Sequence, residues 1–287
     1  MGNVIEQVRR QIGEVVLERV VGTQGPPDRA SVHGEDDLRW FPDGSPITRV
    51  HGDSAMFVAG LRALLLQSLH PLAMAGVAEH SDYRGDPWGR LARTSYFLAA
   101  TTFGAGKVAE AAIARVRAVH ERVQGSAADG RAYSAGDPRL LCWVHVAEVD
   151  SFLRAHQRYG ARPLDPDECD LYVAQTAKVG EALGATGVPR SQADLDEVLR
   201  DFRPELAGTP AAREAARFLL LQPPLPLTAR VPYTLLGAAA VSLLPVWARW
   251  PLRLPWLPLT EATLVRGAGE ALTRTIRWAL AAPPSDR

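Results

Sequence analysis

Apolar residues in this chain recur three and four positions apart in one segment after another, and proline, glycine and short polar runs interrupt them. Val108, Ala112, Val116, Val119 and Val123 keep that step with Glu and Arg between them, which marks a half-exposed helix over Lys107–Val123. Asp53–Ala78 carries Leu61, Leu64, Leu65, Leu66, Leu69, Leu72, Met74 and Val77 on more than one face, so it reads as a buried helix that kinks or restarts at Pro71. Arg90–Phe103 resumes helical spacing after a loop at Tyr83–Gly89, and Gly104-Ala-Gly106 ends it. Asp137 and Pro138 supply an N-cap and a first turn for a helix over Arg139–Gln157. Pro163–Asp167 starts another through Val179, Ser191-Gln-Ala-Asp194 has capping-box form and leads a helix to Phe202, and Ala211–Leu221 closes the middle section. Gly125–Asp137 reads as a polar turn, and no run alternates like a strand between hairpin turns. The expected fold is all-α, a single multi-helix bundle over residues 1–287, with an N-terminal helix at 1–22, a core at 50–160 and C-terminal helices at 161–287.

Thirty-two Lys and Arg balance thirty-two Asp and Glu, so no whole-molecule field exists to hold a polyanion, and nucleic acid is not an expected partner. Cys142 and Cys169 are too few for a disulfide framework, a four-cysteine zinc site or an iron–sulfur cluster. Met1–Val21 alternates charge with aliphatics as an amphipathic helix and lacks the apolar run of a secretory signal, so a reducing cytoplasm is the expected compartment. Gly22–Pro46 follows as a turn-rich loop. Val231–Ala248 is apolar, but Pro232, Gly237 and Pro245 break it, which favours a buried or interfacial helix over a membrane span. Trp247, Trp250 and Trp256 with Arg249 and Arg253 suit either lipid headgroups or the cover of an apolar pocket, which leaves peripheral membrane contact open.

Of seven histidines, His33, His51 and His120 sit in loop-like or solvated surroundings and read as surface residues. His70, in Leu69-His70-Pro71, is placed to cap the kink at the proline. His80 opens Glu79-His80-Ser81-Asp82-Tyr83-Arg84, a polar stretch that suits a helix C-terminus or a pocket rim. His145 differs: Leu140-Leu-Cys-Trp143-Val-His145-Val-Ala-Glu148-Val149 buries an imidazole among aliphatic and aromatic neighbours. An unpaired buried ring costs on the order of 1–3 kcal/mol, so a metal or a hydrogen-bond acceptor must compensate. His145-Val-Ala-Glu148 is followed by Val149, so both zinc-protease helix patterns fail, and no Glu-x-x-His pair supports a di-iron bundle. Burial should raise the Cys142 thiol, and no glycine-rich phosphate loop follows a strand.

One buried helix histidine, a large apolar interior and arginines at Arg90-Leu-Ala-Arg93-Thr94 are what a b-type haem needs: an imidazole for iron, a slot for the macrocycle and cations for two propionates. Arg90 and Thr94 share a helix face, although Arg90 and Arg93 could equally pair surface acids.

Leu66-Gln67-Ser68-Leu69-His70-Pro71 through Gly76-Val77-Ala-Glu79-His80-Ser81 resembles the MpaB-type oxygenase family, whose catalytic domain is shared more distantly with the latex-clearing rubber oxygenases. Asp86-Pro87, Arg90-Leu-Ala-Arg93-Thr94, Phe103-Gly104, Trp143-Val144-His145 and Asp150-Ser151 add to the resemblance, which covers Val50–Gly160 well and the C-terminal part more loosely. The resemblance implies an all-helical fold with a buried haem b pocket, His145 as the iron ligand, and Arg90, Arg93, Thr94 and His80 about the cofactor. Where rubber oxygenases carry a lysine before the threonine, this chain has Arg93, which stays charged and ligates iron poorly. The implied reaction is oxygenation of a small apolar molecule, such as a terpenoid, lipid or natural-product intermediate, with dioxygen, Arg93 and Thr94 polarising it and an electron donor as a further partner. The alternatives are a peroxide-using or bond-rearranging haem enzyme, and a non-catalytic haem-binding or structural helical protein.

Overall fold

Half of the helices begin where the sequence places a proline in the first turn, often behind a side-chain oxygen that satisfies the free amides. The computed structural model describes residues 39–281, so the stretch at Met1–Val21 and His33 lie outside the described residues. The elements are α1 (Pro46–His51), α2 (Met56–Gln67), α3 (Pro71–His80), α4 (Pro87–Phe103), α5 (Gly106–His120), β1 (Gln124–Ser126), β2 (Ala132–Ser134), α6 (Pro138–Tyr159), α7 (Pro166–Leu183), α8 (Gln192–Phe202), α9 (Pro210–Leu221), α10 (Leu227–Leu243), α11 (Val246–Leu252) and α12 (Arg266–Leu280). Asp86 accepts from the Gly89 amide at the head of α4, so this helix starts three residues earlier than its spacing suggests. Asp137 caps α6 through the Arg139 and Leu140 amides, Asp165 and Glu168 form a reciprocal capping box on α7, and Ser191 caps α8.

The fold is all-α apart from one hairpin, which corrects the strand-free reading of Gly125–Asp137. β1 and β2 pair antiparallel with Gly125 opposite Tyr133. A Cβ at Gly125 would lie 2.5 Å from the Tyr133 hydroxyl, so only glycine fits. Strands of three residues are too short to display alternation, which is why the spacing hid them.

The restart at Pro71 is sharp: α2 and α3 meet at 107°. The sequence places the His70 ring as a cap on this break, but it makes no capping bond; it is buried against Trp143 and Phe202 with Nε2 3.4 Å from Glu205. His120, expected on a solvated face, has a shielded Nδ1, and burial lowers its pKa.

α6 is the central beam. It packs along α2, whose other side meets α10. The Trp143 indole donates to the Gln67 carbonyl at 3.1 Å while the Gln67 amide donates back to the Val144 carbonyl at 3.2 Å, which fixes the register of the two helices. Two turns further along α6, fully buried Arg62 donates to Ser151 Oγ at 2.7 Å and to the Leu243 carbonyl at 3.0 Å, and meets Asp150 at 2.6 Å. Among the described residues no single helix is long and apolar enough to cross a membrane; the α2–α3 pair passes by composition only, and α2 is core, with Val58, Leu65 and Leu66 buried.

Candidate functional site

Four helices leave a narrow cavity of about 30 Å³ between them. α1 contributes Ile47 and His51, α4 Phe97, Leu98 and Thr101, α6 His145 and Glu148, and α7 Tyr172 and Thr176. A larger groove of about 360 Å³, between Trp40 and the Ile113–Arg117 face of α5, is open to solvent and holds no histidine.

α6 carries His145 into the cavity because the anchors around Trp143 and Asp150 fix the helix on both sides of it. Its Nε2 is shielded and has no hydrogen-bond partner. Burial pushes the ring down to about 4, so it is a neutral imidazole at physiological pH, the form that can donate a lone pair. The other side of the ring rests on Gly180 of α7, where a Cβ would stand 2.9 Å from Nδ1. Glycine at 180 therefore leaves the room in which this imidazole lies.

Glu148 stands three residues on, and burial pushes its carboxyl up to about 7. His51 shares Nδ1 with Thr102 Oγ1 at 2.7 Å and Nε2 with the Tyr172 hydroxyl at 3.3 Å. Burial, and then repulsion from His156, hold His51 down to about 3. The Tyr172 phenol is pushed well above its ordinary value by burial and by Glu148. His51 was expected on the surface; the structure corrects this, because the six-residue α1 that carries it is hidden in a turn-rich stretch. The spacing of Glu148 from His145 was visible, but only as a failed zinc motif. Among the described residues no cluster of three or more His, Cys, Asp or Glu could hold a bare metal ion, so at His145 the protein supplies one donor.

The arginine segment divides. Arg93 is exposed and pairs with Asp86 at 3.2 Å, which is the surface-acid alternative. Arg90 is half-buried, donates to Ser81 Oγ at 2.7 Å, and has its pKa lowered by burial and then by Arg93. Thr94 is exposed and donates to the Arg90 carbonyl at 3.1 Å. Thr94 lies four residues before Leu98 and seven before Thr101, so with Arg90 it extends the cavity-facing stripe of α4 outward. His80 is exposed and does not line the cavity; its Nε2 lies 3.1 Å from the Tyr133 hydroxyl, which donates to Glu79. Cys142 meets the Gly187 carbonyl, and burial raises its thiol as the sequence suggested.

These shifts set a pH dependence for the cofactor-free protein. His51 and His145 are held neutral, so from about pH 4 to 6.5 the unfolded chain binds more protons and stability rises with pH. Glu148 acts in the opposite sense: the native state keeps its proton up to about pH 7 while the unfolded chain releases it near 4.5, so stability falls with pH across that window. Glu148→Gln is expected to match wild type at pH 4 and to exceed it above pH 7 by about 3 kcal/mol in urea unfolding. An equal difference at both pH values contradicts a buried acid at this position.

A family model described as "ER-bound oxygenase mpaB/B'/Rubber oxygenase, catalytic domain" matches residues 48–278, a span that contains every cavity-lining residue but Ile47 and every helix from α2 to α11. No curated protein and no solved structure matches the chain.

Proposed function

As the chain belongs to the mpaB/rubber oxygenase catalytic-domain family, we propose that it is a haem b-dependent oxygenase acting on a small apolar substrate at the cavity beneath His145. The observation that carries this reading is the shielded, unpartnered Nε2 of a neutral imidazole. Leaving such an atom unpaired costs about 1–3 kcal/mol, and an iron ion accepting its lone pair relieves that cost. The haem would supply dioxygen activation. The chain would supply the rest: His145 the donor, Gly180 the space for its ring, Arg90 a cation at the outer end of the α4 stripe for a carboxylate of the cofactor, and Phe97 and Leu98 an apolar wall for the substrate. Arg93 and Thr94 would have to turn inward to polarise oxygen, because Asp86 and the Arg90 carbonyl hold them in this conformation. Glu148, whose carboxyl titrates at about 7, would hold a transferable proton one turn from His145.

A cavity of about 30 Å³ has room for about one water, whereas ligand pockets run to roughly 300–1,000 Å³. Loading a macrocycle would therefore require the cavity to open, and α4 is the wall with the least packing on α6 and α7. This helix is suited to move: it packs chiefly on α5 and α1 and sits between the 81–86 loop and Gly104. Hemin titration into the purified chain tests the reading. A Soret band that shifts on dithionite and carbon monoxide, together with substrate-dependent dioxygen uptake, is expected; peroxide-only turnover supports the peroxidase alternative, and an unchanged free-hemin spectrum overturns haem use.

Gly180→Ala gives a finer test. Alanine favours helix by about 1 kcal/mol over glycine, so the fold should persist, but its methyl displaces the imidazole. Hemin affinity is expected to fall about tenfold or more, with the melting temperature held or raised. Unchanged affinity means that the ring position is irrelevant to binding.

A further inference from the structure

The C-terminal third presents large apolar side chains to solvent on a scale that nothing in the cavity reading uses. Trp250 (71% exposed), Trp256, Leu257, Leu259 (84% exposed) and Leu264 stand out within fifteen residues, and Val246 joins them. On α10, Leu227, Val231 and Leu235 repeat every fourth residue and face outward, while Ala239, Ala240 and Val241 of the same helix are buried. Monomers rarely expose large apolar side chains at this density along one segment without a partner.

The belt is held firmly. Buried Arg249 donates to the carbonyls of Leu244 and Ser242, each at 2.8 Å, and pairs with Glu261 at 2.7 Å, and Glu261 also accepts from the Leu257 amide at 3.0 Å. That clip ties α11, the Arg253–Pro258 connection and the turn at Glu261 into one piece. It also uses the one acid in the belt. Arg253, exposed and in the left-handed region at φ 57°, makes no ion pair among the described residues.

Charge then selects the partner. Val246–Arg266 itself contains three arginines and one glutamate, with no lysine or aspartate, a surplus of two cations in a chain of zero formal charge. Exposed tryptophans whose indoles favour the water–hydrocarbon boundary, protruding leucines and arginines suited to phosphate oxygens fit the interface of an anionic bilayer. We propose that the Val246–Arg266 belt is a membrane-docking surface that inserts Trp256, Leu257 and Leu259 among lipid chains and lays Arg253 on anionic headgroups. The chain would then lie on the bilayer without spanning it.

Co-sedimentation of the full chain with vesicles of phosphatidylcholine alone, or with about a third phosphatidylglycerol, tests this; anionic lipid should increase binding and salt should weaken it. Trp256→Ser with Leu259→Ser is expected to lower partitioning about tenfold or more, and Arg253→Glu to reduce only the anionic-lipid component. Both changes lie on exposed side chains, so circular dichroism and the melting temperature should stay as in wild type. In wild type, brominated lipid should quench tryptophan fluorescence more than in the double variant. Binding that survives the double variant overturns this surface, including binding carried by the amphipathic N-terminal stretch. Self-association that the double variant abolishes, without vesicle binding by wild type, assigns the belt to a second copy of the chain and also overturns the proposal. None of these readouts depends on haem, so this inference and the oxygenase reading fail separately.

Discussion

Replacing His145 with alanine is expected to abolish the shifted Soret band while leaving the helical fold in place. The ring has a shielded Nε2 with no partner, so its removal takes away an unsatisfied polar atom worth about 1–3 kcal/mol along with some packing, and the two effects offset. Circular dichroism should therefore match wild type. The truncation opens space beside Gly180, so added imidazole is expected to occupy it and restore the band. Loss of the band with recovery by imidazole separates a donor to iron from a packing residue. A band that persists in the alanine variant places the iron elsewhere.

Asp150→Asn should produce the largest loss of stability. Arg62 is fully buried and has its charge met by Asp150 at 2.6 Å, and Asp150 also receives Arg154 at 2.6 Å. Asparagine keeps the size of the side chain and removes the charge, which leaves a guanidinium stranded in the core. Breaking a buried pair from one side costs about 3–5 kcal/mol, to be read as a fall in the urea midpoint. Arg62→Met combined with Asp150→Leu is expected to recover most of that loss, because the penalty arises from the unpaired charge. A single variant as stable as wild type shows that water reaches Arg62.

The sequence displayed much of this architecture because its punctuation is local. Proline in a first turn and an Asp or Ser at the N-cap act within four residues, so the starts of α6 and α7, and through Ser191 alone that of α8, could be read directly. His145 was legible for a related reason: a polar ring inside an apolar helix contrasts with its own neighbours. What sequence could not show depends on residues distant in the chain. Tyr172 meets His51 across 121 positions, and Gly180 meets His145 across an interhelical gap, so no spacing rule relates them. Arg90 and Arg93 look equivalent in the sequence, but their different fates follow from how deeply each sits and from Asp86 standing beside only one of them. The Trp143, His70, Asp150 and Ser151 positions that carry the family resemblance prove largely architectural, tying α6 to α2 and α8.

That division of labour along α6 has a practical consequence for redesign. The face carrying Trp143 and Asp150 is fastened to the rest of the protein, whereas half of the side chains that line the chamber beneath His145 come from α4 and α7. Altering Phe97, Leu98 or Thr176 can resize or repolarise the chamber without loosening a single anchor. Chamber shape and structural integrity are thus adjustable at separate residues, and α4, with its opposite side facing water, offers the greater freedom for such engineering.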